Sequence, residues 1–317
     1  MTTAVQLLNG RRIPLHKLGV DTSAATTVEE ALAIGKADFS VSLRPILFQD
    51  QYGQLRQSYD YQGVVRDDND LDMGIVGKGF HPTQNSTTAK MMSKLLENSK
   101  CIKTVGLIDG GRRVWMLFES NRVIDLGSGD TIVPYLLAVW GHDGSISLKI
   151  QGIMNRIFCS NALTAAFRNG IGRFVMRHTK QVLTLNENMV ANALGMAHKN
   201  FDELEQASRA LTQRPMGSGD YTSFINKLFV EDERNMTKQE EKKVTVLQDL
   251  FHGEQQGYVD TVKGTQWGAY NAVVEYLDYH LPWSETRLNT PEQNKAKSIL
   301  FGGIADKKQQ AWDLLTA

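Results

Sequence analysis

An α+β fold is predicted: antiparallel β-hairpins with packed helices, followed by a mainly helical C-terminal region. Apolar residues alternate up to about Val182, as in Phe39, Val41 and Leu43 or Leu71, Met73 and Ile75, the period of a half-buried strand. From Asn186 the pattern changes to steps of four and three through Val190, Leu194, Ala197, Phe201, Leu204, Ser208 and Leu211, a helical packing seam. Between the alternating runs stand tight-turn signals, Asp109-Gly110-Gly111 above all, whose glycines supply positive φ angles. The chain accordingly reads as an α+β core carrying a basic segment over residues 1–185, then a helical region over residues 186–317.

In order, Thr26 with Glu29 three residues later has the spacing of a capping box and starts the first helix. Strand follows from Phe39 to Phe48, then a hairpin with Tyr59, Tyr61, Val64 and Val65 in one arm and Leu71, Met73 and Ile75 in the other. Its loop, Asp67-Asp68-Asn69-Asp70, has the alternate carboxylates of a calcium loop. Met73 stands where the glycine at position six is needed and Gly79 where the final glutamate is needed, so the loop reads as a solvated tip. An amphipathic helix spans residues 86–98, with Met91, Met92, Leu95 and Leu96 on its apolar side, and the strands 102–108 and 114–118 come next. A strand over 130–140 leads to the turn His142-Asp143-Gly144-Ser145, and strand resumes from Ile146. A helix capped by Asn161 or Ser160 is predicted, with Leu163, Ala166 and Phe167 on one face, ended by Asn169-Gly170. Residues 173–182 fit strand or helix equally. Arg214 to Gly219 breaks the helical region as a linker, and helices follow near 221–229, 237–251, 265–280, 291–301 and 304–315.

The charge pattern points to a partner. The chain is neutral, with 35 basic and 35 acidic residues, yet no acid lies between Asp143 and Glu187. That interval holds Lys149, Arg156, Arg168, Arg173, Arg177 and Lys180, with His178 as a seventh possible cation, and so forms a local anion-attracting zone. Arg173 and Arg177 share a side whether the segment is strand or helix. Arg112 and Arg113, emerging at a hairpin end, are secondary candidates. Nucleic acid, single-stranded DNA in the first place, is the expected partner, bound by a homo-oligomer; the seam from Val190 to Leu211 reads first as core packing within the subunit, with a contact between subunits as the alternative. The alternative for the cations is pairing with carboxylates elsewhere, the loop at Asp67–Asp72 being the nearest candidate.

Much catalytic and cofactor chemistry has no signature here. GxxxxGK[ST], GxGxxG after a strand, HExxH and clustered Cys/His ligands are all missing, so no cofactor, metal or ATP is expected. The trio His142, Asp143 and Ser145 lies within one turn, where the three groups of a triad cannot converge. Cys101 and Cys159 sit in apolar contexts and read as buried thiols. No apolar run approaches the roughly 20 residues of a membrane span. The N-terminus places its arginines after a short apolar patch, the reverse of a secretory signal, which predicts a cytoplasmic protein. The reading is therefore a non-catalytic binding protein. Two other classes stand beside it: an interaction protein that binds or inhibits a host factor, and a nucleic-acid-processing enzyme built on His142, Asp143, His178 and Arg177.

Several stretches resemble a phage- and plasmid-associated family of unknown function: ADFSV (Ala37–Val41), GGRRVW (Gly110–Trp115), HDGS (His142–Ser145), NRIFCSNAL (Asn155–Leu163), RHT (Arg177–Thr179) and GTQWGAYNAVVEYLD (Gly264–Asp278). The resemblance spans about residues 26 to 302 and departs at Ala162, where the family usually has threonine. It implies a mobile-element setting and assigns no catalytic residue. At the level of topology, the order of hairpins and helix is similar to the β-β-β-α core of phage single-strand annealing proteins of the RecT and Erf kind, which implies annealing without ATP.

Overall fold

The computed structural model describes residues 15–156, 162–163, 173–178, 187–253 and 260–317. Two antiparallel sheets and eight helices make up the described residues. The fold class is α+β, as the two periodicities predict, and every strand pairing is antiparallel.

The larger sheet has eight strands: β1 (Val20–Asp21), β5 (Ser99–Ile108), β6 (Arg113–Ser120), β8 (Thr131–Gly141), β9 (Leu148–Arg156) and β10 (Ala162–Leu163) in spatial order, with β7 (Ile124–Asp125) on β8 and β11 (Arg173–Met176) on β9. The smaller sheet is β2 (Val41–Gln49), β3 (Leu55–Arg66) and β4 (Asp72–Gly77), in that order. Helices α1 (Val28–Ile34), α2 (Asn85–Glu97) and α3 (Glu187–Gln213) gather on one face of the larger sheet. Gly35 at the end of α1 abuts Val105, and Phe201 of α3 lies over Gly152. Val105 and Gly152 share a face through the register Val105↔Met116, Met116↔Ala138 and Ala138↔Ile150.

On the opposite face Trp115 lies across Gly106, its partner on β5. A β-carbon at Gly106 would stand 2.2 Å from the indole, so only glycine admits the ring. The remaining helices are α4 (Ser218–Phe229), α5 (Lys238–His252), α6 (Gln266–Tyr279), α7 (Pro291–Phe301) and α8 (Gly303–Thr316). α6 is buried on all sides rather than along one stripe. It carries the buried pair Asp278–Lys308, 2.6 Å apart, with neither side chain more than 2% exposed. None of the helices in the described residues is long and apolar enough to cross a membrane.

Several expectations shift. The first helix is capped by Thr27, whose hydroxyl accepts from the Glu30 amide at 3.1 Å, while the Glu30 carboxylate returns to the Thr26 amide at 2.7 Å. The run Thr-Thr-Val-Glu-Glu allows either frame, and the later one buries Val28, Ala31 and Leu32 together. Ala162 and Leu163 do not begin a helix: they pair with Asn155 and Met154 on β9, whose open edge offers backbone partners. Positions 164–170, where that helix was expected to run, lie outside the described residues. Residues 173–176 are strand, and positions 179–182 of that segment lie outside the described residues.

The seam along α3 is internal. Val190, Leu194, Ala197, Phe201, Leu204, Ser208 and Leu211 are all buried within the chain, as the core-packing reading of the seam expects, and are not available for a contact between subunits. The break at Arg214–Gly219 is real but pinned, because Pro215 bridges Thr265 and the Met216 amide donates to the Gly264 carbonyl at 2.8 Å.

Candidate nucleic-acid interface

Three segments distant in sequence meet at one end of the larger sheet. They are the turn between β5 and β6, the turn between β8 and β9, and the residues following β11. The register Arg113↔Gly141, Val139↔Lys149 and Met176↔Leu148 brings them together. Side chains tie them: Arg113 Nε donates to Ser145 Oγ at 3.1 Å, and His178 Nε2 donates to the Ile146 carbonyl at 2.6 Å. The same backbone turns are tight for local reasons, with Asp109, Gly110 and Gly111 all at positive φ.

Register also sorts the cations by face. Arg173 is opposite Gln151 and Val175 opposite Lys149, so positions 149, 151, 173 and 175 share one face of the β9–β11 edge. Arg177 follows β11 directly and is exposed, and Val175 at the centre is 44% exposed. Positions 149 and 173 thus share a face of the β9–β11 edge at the corner of the sheet, and the exposed Arg177 follows directly after it. Arg156 does not join them: it pairs with Ile132 at the far end of β9 and falls on the other face by alternation. Arg168 and Lys180 lie outside the described residues.

The acidic loop does not furnish the counter-ions of this corner. Asp68 binds Arg66 at 2.6 Å, Asp70 binds Arg44 at 2.8 Å, and Asp67 bonds Ser40 at 2.6 Å with Arg44 at 3.9 Å. These carboxylates serve their own hairpin, in keeping with a tip and not an ion loop.

The paired arginines and the histidine have structural partners. Arg112 Nη2 donates to the Asp72 carbonyl at 2.8 Å, which ties the small sheet to the large one. Arg113 lies 3.5 Å from Asp109 and 3.9 Å from Asp143, with its side chain only 18% exposed. His178 is buried. Because its Nε2 donates to Ile146, its Nδ1 accepts from Thr83 Oγ1 at 2.9 Å, and burial lowers its pKa, so it is a neutral brace and not a seventh cation.

His142 is buried more deeply. Asn85 donates through Nδ2 to the Phe39 carbonyl, so its Oδ1 accepts from both Trp140 Nε1 at 2.7 Å and His142 Nε2 at 3.1 Å. Its Nδ1 is left buried without a partner among the described residues. Burial, with His178 and Arg66 nearby, pushes the imidazole down to about 3. Asp143 turns away from it to accept from the Ser145 amide at 2.9 Å and hydroxyl at 2.6 Å, so the trio forms a turn and not a relay.

Lys297 on α7 joins this end and had no signal in the sequence, being one lysine among many on polar helices. It binds Asp109 at 2.8 Å, and Asn289 donates to the same carboxylate at 2.8 Å. Burial works to raise the Asp109 carboxyl, yet Lys297, Asn289 and Arg113 hold it below its ordinary value. Arg113 and Lys297 line a cavity of about 540 Å³ with Trp283, Asn294, Ser298 and Phe301. Its two cations lie beside Asp109 and Asp143.

Among the described residues no group of three His, Cys, Asp or Glu side chains could hold a metal ion, and Cys101 is a free, half-buried thiol. No curated protein and no solved structure matches the chain. A domain of unknown function, DUF932, matches residues 72–300, more than two thirds of the chain, and the chain belongs to that family.

Proposed function

We propose that the protein binds single-stranded nucleic acid, DNA in the first place, through the cationic corner of its larger sheet. In a phage or plasmid setting this binding would promote strand annealing by a homo-oligomer, without ATP. The observation that carries the reading is the register that puts positions 149 and 173 on one face of the β9–β11 edge, with the exposed Arg177 directly after it, in a neutral chain whose acidic loop is engaged within its own sheet. A strand of phosphates needs such a row of cations and no catalytic group.

Each phosphate neutralised on a single strand releases condensed counter-ions and contributes about −0.7 to the slope of log affinity against log salt. Replacing Arg173 and Arg177 together with alanine should therefore weaken binding of a single-stranded oligonucleotide and flatten the slope by about 1.4. Arg177 is exposed, so Arg177→Ala alone should leave the melting temperature unchanged. Wild-type affinity with an unchanged slope in the folded double variant would refute the assignment.

A further inference from the structure

The surface with the least explanation is the small sheet. Leu47, Phe48, Tyr52, Leu55, Tyr59, Tyr61 and Ile75 are all more than half exposed, and all lie on β2, β3, β4 or the turn between β2 and β3. Elsewhere among the described residues large exposed apolar side chains are scattered along the sequence, at Val20, Ile34, Val123, Val175, Met196 and Leu314. The four aromatics of the hairpin alone leave roughly 500 Å² open, taking about 200 Å² for a whole side chain. With the three aliphatics the patch reaches the order of 800 Å² that one partner contributes to a stable interface, above what a monomer usually shows.

Its shape narrows what can cover it. The base of the sheet has an inner face, where Val41, Val64, Met73 and Val76 enter the core, and an outer face bearing Tyr61 and Ile75 opposite Gly77 and Gly63. Beyond the irregularity after Pro45 the two strands run on as an arm. There Leu47 faces Gln57 and Leu55 faces Gln49 on one side, and Phe48 faces Arg56 on the other. The arm is thus apolar on both faces, and neither is buried against its own chain. A single flat surface would leave one face wet.

Its charge narrows the occupant further. From Ile46 to Tyr59 the only ionised side chains are Asp50 and Arg56, and they pair at 3.0 Å. One further cation at the arm, Lys78 of the strand edge beside it, lies over the Tyr59 ring at 4.2 Å. Two such arms, each neutral, can meet without repulsion, as a self-complementary two-fold contact requires.

We infer that the β2–β3 arm is the self-association element of this protein, packing against the arm of a second copy. Its role rests on the annealing reading, which needs a multimer; its existence does not, since it follows from the exposed arm alone. With the α3 seam buried in the core, the arm takes over the contact that the seam cannot make.

Light scattering of the full chain without DNA, from about 1 to 100 μM, should show at least twice the protomer mass. The variant Leu47→Glu/Leu55→Glu should be monomeric over the same range, with circular dichroism and melting temperature unchanged because both side chains face solvent. Phe48→Glu, on the other face of the arm, should dissociate the assembly as well. A wild-type monomer at every concentration would overturn the inference, as would folded variants that remain assembled or assembly restored only by an unrelated protein. If the double variant loses its fold, Phe48→Glu alone decides. Failure here leaves the salt slope of single-strand binding untouched, whereas failure of the nucleic-acid reading shows as an unchanged slope in the Arg173/Arg177 double variant and leaves the mass.

Discussion

Lowering the pH from 7 to 5 should destabilise this protein through one imidazole. His142 is buried, hydrogen-bonded through Nε2 to Asn85, and held neutral down to about pH 3, whereas an imidazole in the unfolded chain takes up its proton near 6.5. The unfolded state therefore binds the extra proton first. Stability from this group is fully present above the unfolded pKa and is lost as pH falls toward the folded one. Over pH 7 to 5 a group that titrates only when unfolded contributes a loss of about 2 kcal/mol, at 1.36 kcal/mol for each full pH unit. His178, also lowered by burial, adds in the same direction. Carboxylates contribute little in this window, since they titrate mostly below it. Urea unfolding at pH 7, 6 and 5 would measure the loss. In His142→Gln, whose amide can still donate to Asn85, the curve should start lower at pH 7 and be flatter by about 2 kcal/mol over the same range. Parallel pH dependences for wild type and variant would refute the claim that burial keeps this ring neutral.

Two further perturbations test the core. Asp278→Asn leaves the Lys308 ammonium buried without its carboxylate and should cost about 3–5 kcal/mol in urea unfolding. The double replacement Asp278→Leu/Lys308→Met should cost much less than the two single changes together, and additive costs would refute the pairing. Gly106→Ala would press a methyl into the Trp115 indole and should cost about 1–3 kcal/mol. Introducing Trp115→Leu into that background should recover part of the loss by thermal unfolding, and no recovery would refute the steric account.

What was legible in the sequence was periodicity. Alternation up to the end of β11 and the three-and-four spacing of α3 carry the fold class because each is set by which face meets the core. The C-terminal helices fall within a few residues of their expected bounds because Thr237, Thr265 and Thr290 cap them locally. Less legible was everything decided by contacts across the chain. Thr27 caps in place of Thr26 because of what the helix buries. Leu163 pairs with β9 because an edge strand needs a partner. The cationic corner was half legible: charge counting found the segment, but only the register could seat Lys149 beside Val175 and send Arg156 to the other face. Lys297, brought in by α7 from more than a hundred residues away, had no local signature.

Apart from the exposed Arg177 of RHT, most of the described residues in the stretches that carry the family resemblance turn out to be scaffold. In GGRRVW the glycines turn the chain, Arg112 ties the small sheet, Arg113 meets Asp109 and Asp143, and Trp115 fills the space over Gly106. In HDGS, His142 closes the Asn85 network and Asp143 folds the turn onto Ser145. In GTQWGAYN, Thr265 caps α6 and Trp267 donates to the buried Asp130 at 3.0 Å, while a β-carbon at Gly268 would collide with the Val262 carbonyl. A turn, a buried donor and a close approach each admit few residue types, so such positions give a chain a recognisable signature whatever it binds. A phosphate-tracking corner or an apolar arm asks only for cations, or only for exposed apolar side chains, and many sequences satisfy either. The recognisable motifs of this chain thus define mainly its architecture, and the proposed binding corner and arm lie where the sequence pattern is loosest.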